Sequence, residues 1–329
     1  MSRVSVIDGS GVYLPDRVLT NAELATMVDT SDDWIRERTG IRERHVVADG
    51  QYTSDLAVEA SKNAMIAAGC GPADIDLIIV ATTTPDLTFP ATAAIVQAKL
   101  GIGACTAFDI QAVCSGFLFA LATADKFLAS GGHQRALVIG AETFTRILDW
   151  TDRSTCVLFG DGAGAFVVSS QDKDTPKDNG EVGNRGIMAS HLRTDGNNVD
   201  LLYVDGGVSR TQTVGQVRMQ GNKVFREAVT RISSAMVEVA RAADIAITDI
   251  DWFVPHQANE RIIQGVVKKL DLRPDQVVST IATQGNTSAA SIPLAYHAGV
   301  ADGRIKRGDL VLIEALGGGL TWGALLFRV

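Results

Sequence analysis

The chain has 329 residues, 46% hydrophobic, 21% charged and 6% aromatic, with a formal net charge of −8 and a pI near 5.2. That is enough apolar material for one large core or two ordinary ones. The acidic balance argues against a nucleic-acid partner, whose footprint would be basic, and no apolar run approaches the roughly 18 residues needed to span a membrane.

The start, MSRVSVIDGSG, has no apolar stretch of signal-peptide length. The four cysteines (Cys70, Cys105, Cys114, Cys156) are accordingly expected as reduced thiols in a cytoplasmic protein. TSDDWIRERTGIRER (30–44) predicts a helix with a Ser or Thr cap, early acids and Gly40 as its stop. Trp34 on so polar a helix reads either as packing or as a stacking platform. The runs LIIVA, ALVIG, AFVVS and LVLIEA predict central strands, and the amphipathic stretches between them predict helices, so the pattern is α/β in layers.

FDIQAVCSGFLFALATADKFLASG (108–131) places Cys114 where a strand-like run ends and a long apolar helix begins. A helix N-terminus carries partial positive charge and free N–H groups, which favours a thiolate and offers a donor to an oxyanion. The competing reading is a buried, inert cysteine, and the local residues leave both open. GDGAGAF (160–166) lacks the spacing and the Lys-Ser/Thr of a nucleotide loop, so its glycines read as close packing. The polar segment 170–186 reads as a connector between halves 1–172 and 173–329, and 192–216 as an excursion from the second half.

WFVPHQAN puts His256 just past a strand end, where open α/β sheets gather their sites. No two of the five histidines have metal-ligand spacing, so no metal site is expected. TQGNTSAASIP (283–293) reads as a Gly-Asn turn at Asn286 that opens a small-residue helix. EALGGGLTWG (314–323) reads as a glycine loop whose N–H groups can approach a ligand, or as a tight turn. His256 and Asn286 each also admit a bland capping role.

Two stretches rhyme. ADIDLIIVATTT (73–84) lies on TDIDWFVPHQAN (248–259) at an offset of 175 residues (249 minus 74). RALVIGAE lies on DLVLIEAL at an offset of 174 (312 minus 138). The near-constant offset predicts an internal duplication, which sets the helix after Asn286 opposite the helix after Cys114.

AVCSGF, VPHQAN, GNTSAASIP and EALGGGLTWG, in that order and spacing, resemble the signature of the β-ketoacyl-[acyl-carrier-protein] synthase III family, condensing enzymes of the thiolase superfamily. The resemblance runs from GVYLPDRVLTN through GDGAGA to the C-terminus. It implies a thiolase-like, five-layered αβαβα fold of two pseudo-symmetric halves, and a homodimer. It also implies decarboxylative condensation of an acyl-CoA, acetyl-CoA by default, with malonyl-ACP, through an acyl-cysteine and without a cofactor. Carried over residue by residue, Cys114 is the nucleophile, and His256 and Asn286 stabilise the enolate. Cys114 and Gly318 supply oxyanion N–H groups. Trp34, Arg38, Arg153 and Asn222 contact CoA, and Phe89, from the partner subunit, closes the acyl pocket. Leu316 stands where many members carry Phe. Lys223, Arg261, Lys268 and Lys269 offer a basic patch for the acidic acyl carrier protein.

A degradative thiolase would need a cysteine after Cys156, and the sequence has none there. Elongating synthases use two histidines, where this chain has His256 and Asn286. The nearest alternative is a synthase III-like acyltransferase of secondary metabolism with another acceptor, against which the His256–Asn286 pair argues.

Overall fold

A computed structural model describes residues 3–172 and 185–329. The connector expected over 170–186 therefore lies, for 173–184, outside the described residues. The first half runs β1 (Arg3–Tyr13), β2 (Arg17–Thr20), α1 (Asn21–Leu24), α2 (Asp32–Thr39), β3 (Glu43–Val46), α3 (Thr53–Ala68), β4 (Leu77–Ala81), α4 (Thr92–Leu100), β5 (Thr106–Ile110), α5 (Gly116–Ala129), β6 (Arg135–Glu142) and β7 (Gly162–Asp172). The second runs β8 (Gly186–Thr194), β9 (Leu202–Val204), β10 (Val217–Met219), α6 (Gly221–Ala242), β11 (Trp252–Pro255), α7 (Glu260–Leu270), α8 (Ile281–Gln284), α9 (Ser291–Ala301), β12 (Leu310–Gly317) and β13 (Thr321–Arg328).

The local chemistry of α2 is as its sequence dictates. Ser31 Oγ accepts the Trp34 N–H at 3.1 Å, Asp32 and Asp33 occupy the positive first turn, and Gly40 ends the helix at φ +81°. The LIIVA run is buried at every position of β4, as a parallel strand covered on both faces must be.

One sheet has the order β1-β7-β6-β4-β5, with β5, β4 and β6 parallel and β7 antiparallel to both its neighbours, β6 and β1. The other has the order β11-β12-β13-β8, with β11 and β12 parallel. The position answering β5 is held by a short stretch beside β11, where Val278 N–H donates to Phe253 O at 2.9 Å.

Helices α5 and α9 fill the space between the sheets, α3 and α4 cover the outer face of the first, and α6 and α7 cover the outer face of the second. The result is five layers, αβαβα. An aromatic column crosses the middle three: Phe117 of α5, Phe166 of β7, Tyr296 of α9 and Phe327 of β13, with centroid spacings of 4.9, 4.8 and 5.6 Å. Each such pair adds about 0.5–1.5 kcal/mol beyond area burial. The GDGAGAF glycines do pack closely: a Cβ on Gly164 would lie 2.7 Å from Pro293 Cβ at the start of α9.

The duplication has a backbone signature. Val113 and Ser288 are both non-glycine residues in the left-handed region, at φ +49° and +50°. They lie 175 residues apart (288 minus 113), and each opens a short 3-10 turn that leads into a central helix. This register sets Ala289 opposite Cys114, with Asn286 three residues ahead of it. Two related turns therefore carry different side chains, which is how a repeat yields an asymmetric site.

Candidate active site

Cys114 sits in the turn Val113–Ser115 between β5 and α5, and Asn286 in the turn before α9. His256 directly follows β11, and the glycine loop follows β12. Cys114, His256 and the glycine loop are at the carboxyl ends of parallel strands, whereas Asn286 follows α8 (Ile281–Gln284). Cys114, His256 and Asn286 line one cavity of about 310 Å³, together with Trp34, Arg38, Asn222, Arg261 and Leu316. The interior wall is apolar, formed by Phe159, Leu202, Met219, Val224 and Ile232 among others. Leu202 of β9 lies in the excursion expected over 192–216, and Met219 of β10 just after it; both line the cavity.

Each polar group is held by its backbone. The Asn286 N–H donates to Leu158 O at 2.9 Å, and its carbonyl accepts from Gly160 N–H at 3.0 Å. The Asn286 side-chain oxygen accepts the Ser288 N–H at 2.9 Å, which leaves Nδ2 as the free donor. The His256 N–H donates to Glu314 O at 2.9 Å. Nδ1 of His256 is 2.6 Å from Ser291 Oγ, and Nε2 is buried without a protein partner. Burial pushes the imidazole down to about 3, so the ring is neutral.

The expectation of a thiolate at Cys114 runs against its surroundings. Burial pushes the thiol up to about 12; the buried carboxyl of Glu142 adds to the rise, and a hydrogen bond with Ser288 opposes it. The helix proper begins only at Gly116, and Cys114 is 3% exposed. Desolvation outweighs the dipole, which favours the thiol form of Cys114.

Sequence reasoning passed over Glu142, Ser288 and Ser291. Glu142 is fully buried at the end of β6 and accepts from Thr83 N–H (3.1 Å), Thr84 Oγ1 (2.8 Å) and Ser288 Oγ (3.1 Å). It ties the end of the first sheet to the turn that carries Asn286. A lone acid closing the apolar run RALVIGAE was the available signal. Thr321 was also passed over: Ser115 Oγ donates to its hydroxyl at 2.7 Å, and that hydroxyl reaches Ala112 O at 3.0 Å, stapling β13 to the Val113–Ser115 turn.

Within the glycine loop, Gly317 is the residue that abuts Cys114: a Cβ there would lie 2.8 Å from Cys114 N. Gly318 follows it and packs against Leu202 O, 2.6 Å from where its own Cβ would be. Trp34 has Arg38 and Arg153 over its ring at 4.8 and 5.0 Å. Arg153 also donates to Asp29 O at 2.8 Å. Phe89 is 82% exposed on the loop between β4 and α4 and does not line this chain's own cavity. Lys223, Lys268 and Lys269 are exposed, and none of them, nor Arg261, forms an ion pair among the described residues.

Residues 108–196 match a family model described as 3-oxoacyl-[acyl-carrier-protein (ACP)] synthase III, and residues 240–329 match one described as its C terminal. The β-ketoacyl-[acyl-carrier-protein] synthase III of Hyphomonas neptunium is 60% identical over 329 residues, 100% of both chains. That of Caulobacter vibrioides is 58% identical over 325 residues, 99% of both. The solved 3-oxoacyl-[acyl-carrier-protein] synthase III of Aquifex aeolicus superposes with a TM-score of 0.92 at 44% identity, covering 99% of this chain and 100% of that one. That of Pseudomonas aeruginosa gives 0.91 at 41%, covering 99% and 98%. With a duplicated thiolase-like fold, a cysteine, a histidine and an asparagine on one cavity, and relatives matching end to end, the chain belongs to the β-ketoacyl-[acyl-carrier-protein] synthase III family of condensing acyltransferases.

Proposed function

We propose that this chain initiates fatty acid synthesis in the cytoplasm by condensing an acyl-CoA, acetyl-CoA by default, with malonyl-ACP to give 3-oxoacyl-ACP, CoA and carbon dioxide. The observation that carries this reading is one cavity bearing a thiol, a neutral imidazole with an unpartnered Nε2 and a carboxamide with its Nδ2 free.

The CoA arm enters past Trp34, Arg38, Arg153 and Asn222. The two guanidiniums and the indole offer a base stacking surface and charge for phosphates. Cys114 Sγ attacks the thioester carbonyl, and backbone N–H groups of Cys114 and Gly318 hold the oxyanion. The thiol proton leaves with the CoA sulfur, so acylation needs no preformed thiolate and exports no charge. Malonyl-ACP then docks on Lys223, Arg261, Lys268 and Lys269, which carry a local positive field on an acidic protein.

Loss of carbon dioxide puts negative charge on the malonyl thioester oxygen. His256 Nε2–H and Asn286 Nδ2–H donate to that oxygen and strengthen as the charge develops. The enolate carbon attacks the acyl-cysteine carbonyl, the carbon–sulfur bond breaks, and the cysteine sulfur regains a proton from water. A neutral histidine suits this step, since it donates without first needing to be charged.

The test follows each half-reaction separately, with a panel of acyl-CoAs, malonyl-ACP and mass spectrometry of the enzyme. Cys114→Ala forms no acyl adduct. His256→Ala and Asn286→Ala form the adduct but lose condensation by about 10²–10³-fold, the usual cost of one oxyanion donor. Equal loss of both half-reactions in those two variants overturns the assignment.

A further inference from the structure

Neutral imidazole has two tautomers, and only the one protonated on Nε2 makes His256 a donor into the cavity. The proton sites of its neighbour decide between them. Ser291 Oγ, at the first position of α9, receives the Gln257 N–H at 3.3 Å, so that contact occupies a lone pair of the oxygen and none of its donor capacity. The hydroxyl proton has to go elsewhere. A helical serine usually returns it to the carbonyl four residues back, as Ser61 does to Ala57 O (2.6 Å) and Ser233 to Val229 O (2.7 Å). Among the described residues Ser291 makes no such bond, and its one other polar neighbour is His256 Nδ1 at 2.6 Å.

The two tautomers are therefore unequal. With the proton on Nδ1, the ring would donate to Ser291 Oγ, the buried hydroxyl proton would have no acceptor, and Nε2 would be a buried acceptor without a donor. Each defect leaves a buried polar group unpaired, which is destabilising. With the proton on Nε2, the hydroxyl donates to Nδ1 and only the Nε2–H is left waiting, at the cavity wall where substrate arrives.

We infer that Ser291 is a positioning residue that fixes His256 in its Nε2–H tautomer, so that the ring meets malonyl thioester as a hydrogen-bond donor and does not act as a base toward Cys114. This rests on the reading of His256 as an enolate donor. It makes the two half-reactions independent: the histidine has its donor role before either substrate binds, and the thiol proton has to leave with CoA.

The experiment is nitrogen-15 NMR of the full-length protein labelled at its five histidines, with the His256 signals assigned by their loss in His256→Asn. The wild type is expected to show a protonated Nε2 and an acceptor-type Nδ1 across neutral pH. Ser291→Ala, and Ser291→Cys as a second variant of similar size with a weak donor, should move the ring toward the Nδ1–H form. Condensation should fall about tenfold to hundredfold, the usual cost of losing a partner that orients a functional histidine, while acylation of Cys114 is unchanged. A wild-type ring protonated on Nδ1 overturns the inference whatever the variants do, as do folded variants that keep the wild-type tautomer. A tautomer that moves as expected while condensation stays constant overturns instead the donor role of His256 and leaves the assignment to Ser291 standing.

Discussion

At the scale of single residues, burial sets the chemistry more than sequence context does. Cys114, His256, Glu142 and Glu314 are all held toward their neutral forms by desolvation, with Glu142 raised to about 7 and Glu314 to about 8. Glu314 follows β12 Ile313 on the face beneath α6, and its Oε2 has no hydrogen-bond partner. An unfolded chain ionises this group from 4.5 upward, whereas the native chain keeps the proton until about 8. The native state thus binds more protons across that window, and stability falls as pH rises through it. Glutamine matches the neutral acid in shape. Glu314→Gln should therefore melt close to wild type near about pH 5 and clearly above it near about pH 9. Thermal melts across that range check this; a constant difference between the two proteins would show that Glu314 is not the group responsible.

At the scale of elements, the site depends on how tightly the loop after β12 lies against the turn before α5. Gly317 is where a side chain has no room, since the three atoms nearest its missing Cβ are all backbone: Cys114 N at 2.8 Å, Ala112 O at 2.9 Å and Ser115 N at 3.1 Å. Backbone cannot swing aside as a flexible side chain can. Gly317→Ala should keep the fold at a cost of about 1–3 kcal/mol. Because it shifts the nucleophile turn, it should slow acylation by about 10²-fold, the penalty for roughly an ångström of misplacement. Single-turnover acylation with acetyl-CoA measures the effect, and a rate equal to wild type would mean the loop moves and the turn does not. Caps and periodicity made these elements readable, with α2 starting on Ser31 and stopping at Gly40. The staple from Ser115 to Thr321 was not readable, because its two partners are 206 residues apart and neither is unusual locally.

At the scale of the whole molecule, two of the exposed apolar side chains share the loop before α4: Leu87 is 55% exposed and Phe89 82% exposed. We propose that this loop meets a second copy of the chain, whose acyl pocket Phe89 closes. On that reading Phe89→Ala should raise the rate with longer acyl-CoAs relative to acetyl-CoA by about tenfold, the size of effect a few methylenes exert in an apolar pocket. Competition between acetyl- and longer acyl-CoAs in the adduct assay checks it. An unchanged ratio would place the pocket's end wall elsewhere. Among the described residues no helix is long and apolar enough to cross a membrane.

The sequence by itself determined the repeat, the layered α/β pattern and the cysteine, histidine and asparagine that the cavity brings together. These are local properties: apolar period, cap residues, and a reactive side chain at a strand end. Only the tertiary structure decided that burial raises the Cys114 thiol, that Gly317 is the glycine touching it, and that Glu142, Ser288 and Ser291 are the contacts around Asn286 and His256. Those depend on desolvation and on contacts between segments that meet only after both sheets close over α5 and α9, and neither quantity is written in the order of the residues.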